Sequence, residues 1–178
     1  MTRPRILVAC IGNIFLGDDG FGCAVARRLA GRTLPEGVLV VDFGIRGFDL
    51  AYALLEGYET TIFVDAAPRG GEPGTLYVIE PDLNELHDSE ERAMLVEPHG
   101  MNPLRVLGLV KAMGGGFRRI LIVGCEPATA GSEGGQEGLS EPVEAAVDEA
   151  VRLVESLVGN LSAGFSVASC GAAGKKAG

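Results

Sequence analysis

Two aspartates, Asp18 and Asp19, stand side by side in CIGNIFLGDDGFG (Cys10 to Gly22), between an apolar run and a segment with helical spacing. A third, Asp65, follows the apolar run Ile62 to Val64 directly, and His99 stands in EPHGMNP just ahead of a helix start. Two carboxylates and an imidazole are the oxygen and nitrogen donors of a divalent transition-metal site with open positions. The same carboxylates can also serve as general bases. Each residue has a plainer reading beside this one. One aspartate of the pair can cap the following helix, Asp18 being the better placed, but a cap needs only one carboxylate. A carboxylate at the end of a buried strand needs a partner to offset its desolvation, which favours a functional Asp65. Taken alone, His99 fits a structural loop residue, and it gains weight only as one of three. His87, between NEL and DSEE, reads as part of a solvated segment.

Absent motifs narrow the chemistry. The loop GNIFLGDDGFG lacks the first glycine pair of G-x-G-x-x-G, and no G-K-S or G-K-T follows a glycine-rich loop, so phosphate cradling is disfavoured. The aspartates would also repel a phosphate. Neither G-x-S-x-G nor H-E-x-x-H occurs, which leaves a serine nucleophile and a zinc-protease helix unsupported. Four cysteines, none in a C-x-x-C pair, give no basis for disulfides or a thiolate zinc site. A net charge of −9 opposes a nucleic-acid partner, whose binding needs clustered Lys and Arg. The N-terminal apolar stretch is broken by Gly12 and Asn13 and closed by aspartates, so it reads as a first strand and not as an export signal. With no apolar run near the length of a membrane span, a cytoplasmic protein without a membrane partner is expected.

The elements that must position these residues follow from the pattern of apolar spacing. Ile6 to Cys10 is an apolar run suited to a strand buried on both faces, and Phe21 to Leu29 has helical spacing. Val38 to Val41 repeats the strand pattern, FDLAYALLEG reads as a helix stopped by Gly57, and Ile62 to Val64 is a third strand. After the turn PRGGEPG, the segment TLYVIEP alternates, which predicts an edge strand antiparallel to its neighbours. Asn102 before Pro103 is a cap followed by a first-turn proline, for a helix to about Met113. RRILIVGCEP is a fifth strand. Ser140 caps a long amphipathic helix whose Val143, Val147, Val151, Val154 and Val158 form one stripe. Strands alternating with helices make an α/β sandwich with a mostly parallel sheet. A single domain over residues 1–161 is expected, with 162–178, rich in Gly, Ala and Ser, as a mobile tail.

The stretches ILVACIGNIFLGDDGFG, TIFVDAAP, EPHGMNPLRVLGL, ILIVGCEP and GLSEPVEAAVDEAV, in this order and at about this spacing, resemble the hydrogenase maturation proteases. These are aspartyl-type endopeptidases that remove a C-terminal extension from the precursor of the large subunit of nickel-iron hydrogenase. The likeness covers most of the chain apart from the tail. It implies a three-layer α/β/α sandwich with a five-stranded, mostly parallel sheet in the order 2-1-3-5-4, strand 4 antiparallel. It implies that Asp19, Asp65 and His99 bind metal and that Asp19 and Asp65 are catalytic, whether as general bases or through metal activation of water or of the scissile carbonyl. The implied metal is nickel, that of the precursor itself, with another divalent ion able to replace it in isolated protein; the implied partner is the precursor. One stretch departs from the family pattern. Many relatives carry Gly-Thr after strand two, where this chain has DFGIRGFDL, so that Arg46 is either a substrate contact or a solvated loop arginine. Two readings compete with the protease: a non-enzymatic nickel-handling or chaperone module for the same precursor, and a flavodoxin-like cofactor binder, which the aspartates oppose.

Overall fold

The computed structural model describes residues 5–83, 103–128 and 137–171. In chain order the elements are β1 (Ile6–Ile11), a 3-10 turn (Gly17–Gly20), α1 (Phe21–Leu29), β2 (Val38–Gly44), α2 (Gly47–Leu55), β3 (Thr60–Ala66), β4 (Leu76–Ile79), α3 (Pro103–Ala112), β5 (Ile120–Cys125) and α4 (Glu141–Gly171). The five strands form one sheet in the order β2-β1-β3-β5-β4. The pairs β1/β2, β1/β3 and β3/β5 are parallel, and β4 runs antiparallel to β5 at the edge. The expected order and the antiparallel edge strand are both present.

The central strands are unbroken apolar runs because helices cover both faces of the sheet. Alternate residues divide between two cores. Ile6, Val8, Cys10, Ile62, Val64 and Val123 point to one face, where Phe21, Val25 and Leu29 of α1 and the valine stripe of α4 bury them. Leu7, Ala9, Ile11 and Phe63 point to the other, against Leu50 and Leu54 of α2 and Val106, Leu107 and Val110 of α3. All five valines predicted for the α4 stripe are buried. That helix continues to Gly171, well past Val158 and ten residues into the segment expected as a tail. The cap expected at Asn102 lies outside the described residues. Among the described residues no helix is long and apolar enough to cross a membrane.

Helix α1 lies so close to the sheet that a Cβ on Gly22 would stand 2.1 Å from the Ile11 carbonyl oxygen and 2.4 Å from that of Val64. Only glycine fits there. The close approach brings the 3-10 turn against β3 and sets the loop after β1 over the carboxyl edge of the sheet, where ligands of open α/β sheets bind.

Candidate active site

The loop after β1 folds back on itself around one glycine. Gly12 has φ +144°, and a Cβ there would lie 1.9 Å from the Asp19 carbonyl oxygen, so a side chain is excluded on two counts. The Asn13 amide donates to Asp19 Oδ2 at 2.8 Å, and Asn13 Oδ1 accepts the Phe15 amide at 3.0 Å. Asp19 is half-buried as a result. Burial pushes its carboxyl pKa up, and the Asn13 amide offsets only part of that rise.

Its neighbour Asp18 does something else. It is 1 % exposed and accepts three hydrogen bonds, from Ala128 N at 2.8 Å, Ser140 N at 2.6 Å and Ser140 Oγ at 2.9 Å. The expected role as cap of the following helix is corrected by this arrangement. Neither the 3-10 turn nor α1 has a side-chain cap bond, whereas Asp18 holds the residue before α4, 122 positions along the chain. A carboxylate there meets free amides at a helix start and favours the positive end of its dipole. The pair therefore divides into a buried tie and a half-buried carboxylate held by the Asn13 amide.

Asp65 ends the apolar run of β3, opposite Gly124 of β5, and its Oδ1 accepts the amide of Ala66 at 2.8 Å. Strands β1 and β3 are parallel neighbours, so the loop after β1, whose 3-10 turn carries Asp19, and Asp65 near the end of β3 both lie past or at the carboxyl ends of adjacent strands. His99 lies outside the described residues, and among those described no group of three His, Cys, Asp or Glu could hold a metal ion.

A cleft of about 320 Å³ opens between the loops after β1 and β2, with Asn13, Phe15, Cys23, Asp42, Ile45 and Arg46 in its lining. The two loops are joined by a bond from Gly12 N to Gly44 O at 3.1 Å. Asp42 was not singled out from the sequence, although the signal that marked Asp65, an aspartate directly after an apolar run, is present there too. Its Oδ1 accepts the Gly44 amide at 3.0 Å. Burial, and then the hydrogen bond to Asp42, push the Cys23 thiol up to about 12. Burial likewise raises Cys10, and it carries Cys125 to about 12, so none of these three thiols supplies a thiolate nucleophile at neutral pH. Arg46 sits at the cleft rim with its guanidinium turned to its own loop: Nε donates to Phe43 O at 3.1 Å, Nη1 to Asp49 Oδ2 at 3.4 Å and Nη2 to the Asp42 carbonyl.

Glu126 is a second residue missed in the sequence. It is 4 % exposed, just beyond β5, and accepts Arg69 N at 2.9 Å, Gly70 N at 3.1 Å and Tyr77 Oη at 2.9 Å. Burial pushes its carboxyl up, but the Arg69 amide, the Tyr77 hydroxyl and the Gly71 and Gly70 amides outweigh that, and its pKa lies below the ordinary glutamate value. It thereby fixes the loop that follows Asp65. Nothing in GCEP announces this, because the donors lie 49 to 57 residues earlier.

The sequence profile described as hydrogenase maturation protease matches residues 23–157. The hydrogenase expression/formation protein HupD of Rhizobium leguminosarum bv. viciae is 34% identical over 158 residues, spanning 86% of this chain and 75% of that protein. Among solved structures, the hydrogenase maturating endopeptidase HybD from E. coli superposes with a TM-score of 0.70 at 26% identity, over 88% of this chain and 93% of its own. The hydrogenase 2 maturation peptidase of a Thaumarchaeota archaeon gives a TM-score of 0.63 at 33% identity, over 87% of this chain and 98% of its own.

Proposed function

The chain belongs to the hydrogenase maturation protease family and is an endopeptidase, and from that premise we propose that it removes a C-terminal extension from the precursor of a nickel-iron hydrogenase large subunit after nickel has been inserted. The non-enzymatic reading falls with that premise. The observation that carries the proposal is the division of labour between Asp18 and Asp19: the first is consumed by three internal bonds, and the second is half-buried on the loop after β1 with its carboxyl pKa raised.

In this reading nickel belongs to the substrate. Asp19, Asp65 and His99 occupy positions left open on the precursor's ion, so that only a filled precursor is held for cutting. The protein then needs no resident metal. Hydrolysis requires a water to attack the scissile carbonyl carbon, a base to take the water proton, and return of that proton to the leaving amide nitrogen as the C–N bond breaks. Asp19 has the environment of such a base, since burial raises its pKa and a carboxylate of higher pKa binds a proton more strongly.

The test is the mass of a purified large-subunit precursor incubated with the protein, with and without nickel. The expected result is loss of the extension from the nickel-loaded precursor alone. Equal cleavage of the nickel-free form would remove nickel recognition from the mechanism, and an intact precursor in both would remove the substrate assignment.

A further inference from the structure

The cleft is edged by large apolar side chains that the fold does not need. Phe15 is 64% exposed and Ile14 45%, both on the loop after β1; Ile45 is 62% exposed on the loop after β2, and Phe48 is 72% exposed in the first turn of α2. A single exposed apolar residue is ordinary, but three lining one cleft from two loops, with Phe48 following just after the second loop in α2, form a patch of the kind that marks a binding surface. None of them contributes to either buried core.

Their backbone is held in advance. The bond between Gly12 and Gly44 joins the two loops, Asn13 Oδ1 holds the Phe15 amide, and Arg46 Nε holds the Phe43 carbonyl. A rigid frame that presents apolar side chains spares a ligand the entropy of ordering them. The polar groups nearby are meanwhile turned inward. Arg46 donates to Asp42, Phe43 and Asp49, and Asp42 accepts from Gly44 and Cys23. What the cleft walls offer a visitor is mainly apolar contact.

We propose that Ile14, Phe15, Ile45 and Phe48 seat the polypeptide substrate, receiving apolar side chains of the extended segment that adjoins the bond to be cut. The inference rests on the endopeptidase reading of this edge, because an endopeptidase must hold chain on both sides of the scissile bond and this cleft is continuous with the loop that carries Asp19. At about 320 Å³ the cleft lies at the small end of the range for ligand pockets, with room for side chains and not for a folded element.

The test compares the full-length chain with a Phe15→Ser/Phe48→Ser double variant on nickel-loaded precursor. KM is expected to rise about tenfold or more, with kcat within about twofold. Binding is measured separately in the Asp19→Asn background, where Kd for the precursor should rise by the same factor. Val78→Ser, an exposed apolar change on the edge strand β4, should leave both unchanged. Unaltered KM and Kd in the double variant would overturn the seat, and so would an equal loss from Val78→Ser. A native dimer that the double variant splits without change in Kd would hand the surface to a second copy of the chain, which also overturns it. A native chain that binds but never cuts removes the assigned substrate cleavage, yet the seat stands if the double variant still loses binding; a native chain that does not bind removes both.

Discussion

Asp18 and Asp19 are chemically identical and adjacent, and their surroundings give them opposite work. Burying a carboxylate costs several kcal/mol, which Asp18 recovers through three donors. Truncating it removes the acceptor of those donors, so Asp18→Ala is expected to lower unfolding free energy by about 1–3 kcal/mol in urea titration. Asp19→Asn keeps an oxygen for the Asn13 amide and should stay within about 1 kcal/mol of the native chain. Its kcat/KM on nickel-loaded precursor should nonetheless fall at least about a hundredfold, the usual contribution of a general base. The reverse pattern, with Asp18 needed for cleavage and Asp19 for folding, would reassign the pair.

Among the elements, α1 sets the site's geometry through its contact with the sheet. On helix propensity alone, Gly22→Ala should stabilise the protein by about 1 kcal/mol. The added carbon would sit 2.1 Å from the Ile11 carbonyl and 2.4 Å from that of Val64, and backbone in two central strands cannot move aside. Overpacking of that kind costs about 1–3 kcal/mol and often more. The steric cost wins. Gly22→Ala is expected to unfold at lower urea than the native chain and, by lifting α1, to displace the loop holding Asp19 and depress kcat/KM as well. A midpoint at or above the native one would show that the helix can retreat from the sheet freely.

For the molecule as a whole, sheet order explains why a buried acid in one strand governs a loop from another. Because β5 lies between β3 and β4, the residue just past β5 meets the β3–β4 connection, and Glu126 is held ionised by amides and a hydroxyl there. Its pKa in the folded protein is below the ordinary 4.5, so the unfolded chain binds the proton more readily. Its contribution to stability is accordingly complete above about 4.5 and is lost as pH falls through the lowered folded value. Thermal unfolding followed from neutral to acid pH should show a loss below the ordinary glutamate range that is shallower in Glu126→Gln, which starts less stable at neutral pH. Parallel curves for the two proteins would remove Glu126 from the acid response.

The strands, the helices and their layering were legible in the order of residues, since burial on two faces writes an unbroken apolar run and burial on one writes a helical stripe. Asp65 and the valine stripe of α4 were visible for that reason. The roles within GDDG were not, and neither were Asp42 as a cleft wall or Glu126 as the anchor of a loop. A hydrogen bond between residues 122 apart leaves no periodic trace, because the donors of Ser140 become neighbours of Asp18 only when β1 and α4 share one core. The amino-acid sequence by itself determined which segments could form the sheet and which side chains could do acid–base work. Only the packed structure decided which of those side chains are used up inside the protein and which remain at its edge, since a carboxylate's character depends on its distance from water and from donors brought by other parts of the chain.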